Sequence, residues 1–176
     1  MQRVTGEYRD SLIAGFRREA LHLEMRDVYA AADRSRFRKW IAGQELSPDD
    51  EAEWWRPWRE MMGRHRQAGR SLRRLRVISE PVTDYIKFEF LDAAELVRVG
   101  EDVRWLPRQR ASGLLLPGND LWCFDAETVV FTYLSGDGEV QGYELTDDPG
   151  LVGRAVAAFE AAWPVAVPHG EYVPRS

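Results

Sequence analysis

The chain is poor in the residues that build reactive and cross-linked sites. Of 176 residues one is cysteine, Cys123, which excludes an internal disulfide and any multi-cysteine zinc or iron–sulfur centre. There are three histidines, His22, His65 and His169, far apart in sequence. Only Lys39 and Lys87 are lysines, so 22 of the 24 cationic side chains are arginine. No apolar run approaches the ~18 residues needed to cross a bilayer, and the opening MQRVTGEYRDS lacks the apolar core of a signal peptide. A cytoplasmic location is the expectation. G-x-S-x-G and the phosphate loop are missing, and no period of 20–50 residues repeats. His22-Leu23-Glu24 contains the His-x-Glu of zinc deaminases without the required Pro-Cys-x-x-Cys. Neither a metal nor a cofactor is expected.

What is present is a globular composition, 44% hydrophobic and 30% charged. A chain of this length buries roughly 70% of its unfolded surface and needs no staple, so residues 1–176 are read as a single domain. The net charge of −5 hides a split. Residues 1–78 hold 17 basic and 12 acidic side chains, residues 79–176 hold 7 and 17. Arg56 to Arg76 contains eight arginines and one acid, Glu60. Such a patch suits nucleic acid, but the acidic pI of 5.3 makes direct nucleic-acid binding unlikely. A solvated helix face, or an acidic protein partner, fits better.

Local patterns predict a helical N-terminal part over about residues 1–70. Asp10 to about Ala32 reads mostly helical, interrupted at Gly15, and a short helix follows to Ile41, stopped by Gly43. Ser47-Pro48-Asp49-Asp50 is a helix start. Trp54, Trp55, Trp58, Met61, Met62 and His65 then form one stripe read as core, with Pro57 in the first turn or at a kink. Residues 71–168 read as sheet and helices: strands at Leu72–Ser79, Val103–Leu106, Leu121–Asp125, Val129–Leu134 and Val140–Leu145. A helix from about Pro81 to Val97 and a last helix after Thr146-Asp147-Asp148-Pro149 go with them. The turn Ser135-Gly136-Asp137-Gly138 makes the last two strands a hairpin. The fold class is α/β, a mixed sheet of about five strands flanked by helices. Trp58 and Trp163 are expected to be buried, and the tail from His169 to be loose.

Ser79 to Asp125 mixes charges, amides and large aromatics at strand ends and in loops, as binding surfaces do. The candidate ligand- or partner-binding residues are Glu80, Asp84, Tyr85, Arg104, Arg108, Arg110, Asn119 and Asp120. Arg104, inside a strand, is expected to pair with Glu80, Asp84 or Asp120, and Arg108 and Arg110, beyond Pro107, to point outward. Bidentate arginines beside Leu114, Leu115 and Leu116 suit a binding edge for a partner or a small anionic ligand, whereas an internal salt-bridge network would use the same residues.

The chain also resembles an actinomycete family of unknown function. The resemblance is carried by His22-Leu23-Glu24-Met25-Arg26-Asp27, Trp54-Trp55-Arg56-Pro57-Trp58, Ser79-Glu80-Pro81-Val82-Thr83-Asp84-Tyr85, Asp102-Val103-Arg104-Trp105-Leu106-Pro107-Arg108, Leu116-Pro117-Gly118-Asn119-Asp120 and Glu144-Leu145-Thr146-Asp147-Asp148-Pro149. It implies a regulatory or protein-interaction role beside a helix-turn-helix transcriptional regulator. The second half more weakly resembles the C-terminal part of phospholipase-D-like domains: paired strands, then a helix carrying Phe159-Glu160 and Trp163. That chemistry needs a His-x-Lys pair, and neither lysine has a histidine two places before it. This second resemblance therefore implies a shared fold without the activity.

Overall fold

The computed structural model describes residues 1–30 and 34–175. Its centre is an eight-stranded mixed sheet: β1 (Gln2–Val4), β2 (Glu19–Glu24), β3 (Ser71–Ile78), β4 (Asp102–Pro107), β5 (Asp120–Phe124), β6 (Thr128–Leu134), β7 (Val140–Thr146) and β8 (Val167–Pro168). The strand order is β1-β7-β6-β5-β2-β3-β4-β8. β2, β3 and β4 run parallel, and the other pairings are antiparallel. Five helices accompany the sheet: α1 (Gly6–Gly15), α2 (Arg34–Ile41), α3 (Pro48–Gln67), α4 (Asp84–Val99) and α5 (Pro149–Ala162). The α/β class is as the sequence implies, with three strands more than the five it suggests.

The extra strands are β1 and β2, in the N-terminal part read as helical, and β8, at the prolines read as ending the last helix. The helix expected over Asp10–Ala32 stops at Gly15, and the same stretch supplies β2 in the middle of the sheet. Residues 31–33, where that expected helix ends and the next begins, lie outside the described residues. Ala20, Leu21 and Leu23 are buried. Leu21-His22-Leu23-Glu24 alternates as a strand does, but Ile13, Phe16, Ala20 and Leu23 also fit helical spacing, and the two periods overlap in so short a segment. The start of β2 is fixed from a distance. Asp125, in the left-handed turn after β5 (φ 57°), accepts the backbone N–H groups of Arg17, Arg18 and Glu19 at 2.7–3.2 Å.

The starts of α4 and α5 follow side-chain caps. Thr83 Oγ1 accepts the N–H of Ile86, so α4 begins three residues later than Ser79-Glu80-Pro81 suggests. Asp148 accepts the N–H of Leu151 at the start of α5. Pro57 falls well inside α3, beyond its first turn. The tail from His169 is tied rather than loose. Tyr172 is buried and donates to Glu80 at 3.0 Å, while Val82 N–H donates to the carbonyl of Arg175 at 2.8 Å. At the β6–β7 turn, Gly138 (φ +81°) accepts the N–H of Ala30 at 3.0 Å, which seats the loop following β2 on the hairpin tip.

Strand alternation divides the core. Leu21, Leu23, Leu75, Val77, Leu121 and Cys123 meet Val152, Ala155 and Phe159 of α5 on one face. On the other, Leu72, Trp122 and Phe124 pack under Ile13 of α1 and Met61 and Met62 of α3, while Ile78, Val103 and Trp105 pack under Ile86, Ala93 and Leu96 of α4.

Candidate functional site

The second face is not uniformly apolar. In register across the sheet, His22 of β2 lies opposite Arg74 of β3, and Glu24 opposite Arg76. Arg74 and Arg76 are 7% and 5% exposed, which no solvated face would give. Arg74 Nε donates to Glu101 at 2.9 Å and its Nη1 to Glu24 at 3.1 Å. Arg76 Nη2 lies 2.5 Å from Glu89. Arg76 Nε is 3.2 Å from Glu24, out of line, and has no hydrogen-bond partner among the described residues. Glu101 follows Gly100, the left-handed cap of α4, and also accepts from Trp58 Nε1 at 2.7 Å.

A pocket of about 470 Å³ opens over these groups, within the roughly 300–1,000 Å³ typical of small-molecule sites. Glu24, Arg74 and Arg76 form its floor. Trp54, Trp55 and Trp58 of α3 supply one wall, and Tyr85, Glu89, Ala93 and Leu96 of α4 another. The positions 85, 89, 92/93 and 96 recur at helical spacing, so one face of α4 looks into the pocket. Trp54 is 41% exposed at its edge. The expectation that the tryptophan stripe is simply core is thus corrected. Met61, Met62 and His65 are buried, Trp54 is exposed, and Trp55 and Trp58 are intermediate. Trp163 is buried as expected. Arg36 braces the rim, pairing with Glu51 and Asp92 while its guanidinium lies 5.1 Å from the Trp54 ring and 5.7 Å from that of Trp55.

The electrostatics follow from enclosure. Burial alone would raise the Glu24 carboxyl, but Arg76 and Arg74 hold it down at about 2. Burial would lower the Arg76 guanidinium, but Glu24 and Glu89 outweigh it and keep it raised. Burial, aided by Arg74 and Arg76, drives His22 well below the usual histidine range against the opposing pull of Glu24. The ring stacks on Trp122 at 3.8 Å, and its Nδ1 has no hydrogen-bond partner among the described residues. Burial, with Glu24 adding, lifts Asp120 to about 6 even though it accepts from Tyr29 Oη and from Met25 N–H. Of these groups Glu24 and Arg76 line the cleft, with His22 and Asp120 behind it; perturbed groups at a cleft mark a candidate site.

Most of the residues singled out from Ser79 to Asp125 do come to one place, the end of the sheet where β2, β3 and β4 finish and β5 begins. Two of them reach the pocket: Tyr85 lines it, and Asp120 holds the wall residue Tyr29 at 2.5 Å. The three arginines do not converge. Arg104 lies 4.4 Å from the Trp163 ring, donates to the carbonyl of Trp163 at 3.2 Å and is 3.8 Å from Asp102, not paired with Glu80, Asp84 or Asp120. Arg108, half outward, donates to the carbonyls of Met25 and Val77 and to Ser79 Oγ, with Asp27 at 3.5 Å. Arg110 is exposed beside Glu80 and Tyr172. Asp84 opens α4 and pairs with Lys87 at 2.8 Å. Glu80 is held by Tyr172. Asn119, intermediate in burial, precedes Asp120 at the start of β5. The histidines are separately employed: His65 Nε2 lies 2.9 Å from the carbonyl of Ile13, and His169 Nδ1 accepts from Trp105. Among the described residues no group of three or more His, Cys, Asp and Glu is placed to hold a metal ion. No helix there is long and apolar enough to cross a membrane.

The pocket's floor escapes the sequence reading for one reason. With β2 read as helix, His22 and Glu24 have no face. The signal that was available is Leu72-x-Arg74-x-Arg76-x-Ile78, in which two arginines share one strand face with buried apolar residues.

A mixed α/β sheet with helices on both faces and a cleft on one of them defines the class. The chain belongs to the family described as Domain of unknown function (DUF6879), whose model matches residues 7–174. No curated protein matches it in sequence. Among solved structures it is similar to TrmBL2, an archaeal chromatin protein whose structure shows a novel mode of DNA binding. The TM-score is 0.50 and the identity 12%, over 91% of this chain and 48% of that one; the chain thus spans about half the length of that protein. It is also similar to Nuc, a phospholipase D family member from Salmonella typhimurium (TM-score 0.49, 12% identity, 94% of this chain and 88% of that one). A third is NucT from Helicobacter pylori (TM-score 0.46, 14% identity, 94% and 95%). At these identities the likeness concerns the fold alone.

Proposed function

We propose that this protein is a non-catalytic recognition module that binds a small molecule in the pocket between α3, α4 and the β2–β3 floor. The observation that carries this reading is Arg76: a buried guanidinium whose Nε has no hydrogen-bond partner among the described residues, at the floor of a pocket walled by tryptophans. That Nε is closed off from solvent and lies 3.2 Å from Glu24, out of line, so a ligand acceptor would meet the guanidinium at the atoms that line the pocket. The missing His-x-Lys pair supports a binding role over phosphodiester chemistry. A regulatory role with a helix-turn-helix regulator as partner is the part of this proposal that rests on family resemblance.

The test is a thermal-shift screen of the wild-type protein against a metabolite library of nucleosides, amino acids, organic acids, sugars and polyamines. At 100 times its Kd, a ligand adds about 2.7 kcal/mol, a shift of several degrees. The effect should vanish in Trp54→Ala, whose own melting temperature stays near that of the wild type. If stabilising compounds act equally on Trp54→Ala, or none stabilises, the pocket is not a binding site.

A further inference from the structure

Resting on that reading of the pocket, we infer that its occupant is an uncharged, planar nitrogen heterocycle carrying a hydrogen-bond donor beside an acceptor, the edge a nucleobase presents. Three observations converge. The first is charge. The carboxylates of Glu24, Glu89 and Glu101 outnumber the guanidiniums of Arg74 and Arg76 around the floor. A phosphate or carboxylate ligand would enlarge that negative excess over a buried floor, where uncompensated charge is costly.

The second is that the attraction of the tryptophan faces for cations is already taken. Arg36 lies over Trp54 and Trp55, and Arg74 lies 6.0 Å from the Trp58 ring. A quaternary amine would have to displace the protein's own cations, one of which is paired with Glu51 and Asp92. A neutral ring does not compete for charge, and stacking of a base on an aromatic side chain contributes roughly 1–3 kcal/mol.

The third is the edge. Arg76, which lines the pocket, brings guanidinium donors next to the Glu89 carboxylate, which is held 2.5 Å from Nη2. A guanidinium beside a carboxylate is complementary to an acceptor beside a donor, as on the Watson–Crick or Hoogsteen edge of a base. A ring lacking either partner would leave one of these buried groups unmade, which is how polar sites discriminate strongly.

The experiment uses the full chain. Tryptophan fluorescence and calorimetry are recorded with adenosine, guanosine, cytidine, uridine, their 5′-monophosphates, purine riboside and tetramethylammonium chloride. At least one nucleoside should bind and quench, and its monophosphate should bind at least about tenfold more weakly, about 1.4 kcal/mol. If the nucleoside is adenosine, purine riboside, which lacks the amino group, should lose at least as much. Glu89→Gln should weaken the best nucleoside by a similar factor; the ligand series does not depend on that variant folding. A monophosphate tighter than its nucleoside, binding of tetramethylammonium, or no nucleoside binding overturns the inference. If another library compound stabilises the wild type and not Trp54→Ala, the ligand class fails while the pocket reading stands. If stabilisation persists in Trp54→Ala, the pocket reading itself fails.

Discussion

The two faces of the sheet use alternate residues of the same strands and reach opposite solutions. Toward α5, β2 and β3 present Leu21, Leu23, Leu75 and Val77 to Phe159 and its neighbours, a dry apolar contact. One residue along, toward α3 and α4, they present His22, Glu24, Arg74 and Arg76, enclosed and paired with one another. The apolar face gains free energy simply by leaving water. The charged face must recover a desolvation cost through geometry, and well-packed apolar residues would often be as stable or more so. Such a cluster beneath an open pocket is what the proposed binding role would call for.

The comparison is sharpest in a pair of large-to-small substitutions. Phe159→Ala should cost about 3–5 kcal/mol by opening a cavity. Arg76→Met should cost about as much by leaving Glu89 without this partner and Glu24 with Arg74. Chemical denaturation at pH 7 and pH 5 separates them. Removing Arg76 takes away the largest pull that offsets burial at Glu24, so the carboxyl's pKa rises and the loss shrinks as pH falls. The loss in Phe159→Ala should be the same at both pH values. Equal pH behaviour of the two variants would mean the charged cluster is not energetically a site.

A smaller effect distinguishes His22. Its folded pKa is depressed, so its contribution is present above about 6.5 and is lost as pH falls below that. Asp120, raised to about 6, acts in the opposite sense, its stabilisation fading as pH rises through 6. His22→Phe, which retains a ring against Trp122, should therefore lose less stability between pH 7 and pH 5 than the wild type, measured as the urea midpoint. An unchanged slope would show that His22 does not titrate on unfolding. The smallest effect is at the rim. Trp54→Ala should change stability by no more than about 0.5 kcal/mol, because the ring is 41% exposed. A loss above about 2 kcal/mol would return the tryptophan stripe to the core.

Much of this was legible in the sequence. The hairpin, β3, β4 and β5, the helix start at Ser47-Pro48 and the apolar side of α5 all follow from period and capping, and each is local. β2 was not legible, because its short alternation, Leu21-His22-Leu23-Glu24, overlaps a helical spacing through Ile13, Phe16, Ala20 and Leu23. Its loss hid Glu24, one of the three residues of the pocket floor. Arg74 and Arg76 were noticed as charge but not as interior, since composition does not say which arginines have carboxylates across a strand. Tyr85 and Asp120 were picked out from the aromatic and charged texture around them, and Arg104 was misplaced because Trp163, its partner, is 59 residues away.

Gly138 carries one more consequence. A Cβ there would lie 2.6 Å from the carbonyl oxygen of Val28 and 3.0 Å from the Cα of Tyr29, on top of the strain of a side chain at φ +81°. The loop that carries Tyr29 into the pocket wall is therefore cast against the hairpin tip as against a mould. A side chain at residue 138 would press on this loop from outside the pocket lining, and so bear on the wall at Tyr29 rather than on the floor. Variation in that turn among family members would then alter what the cleft admits without rewriting the cleft itself.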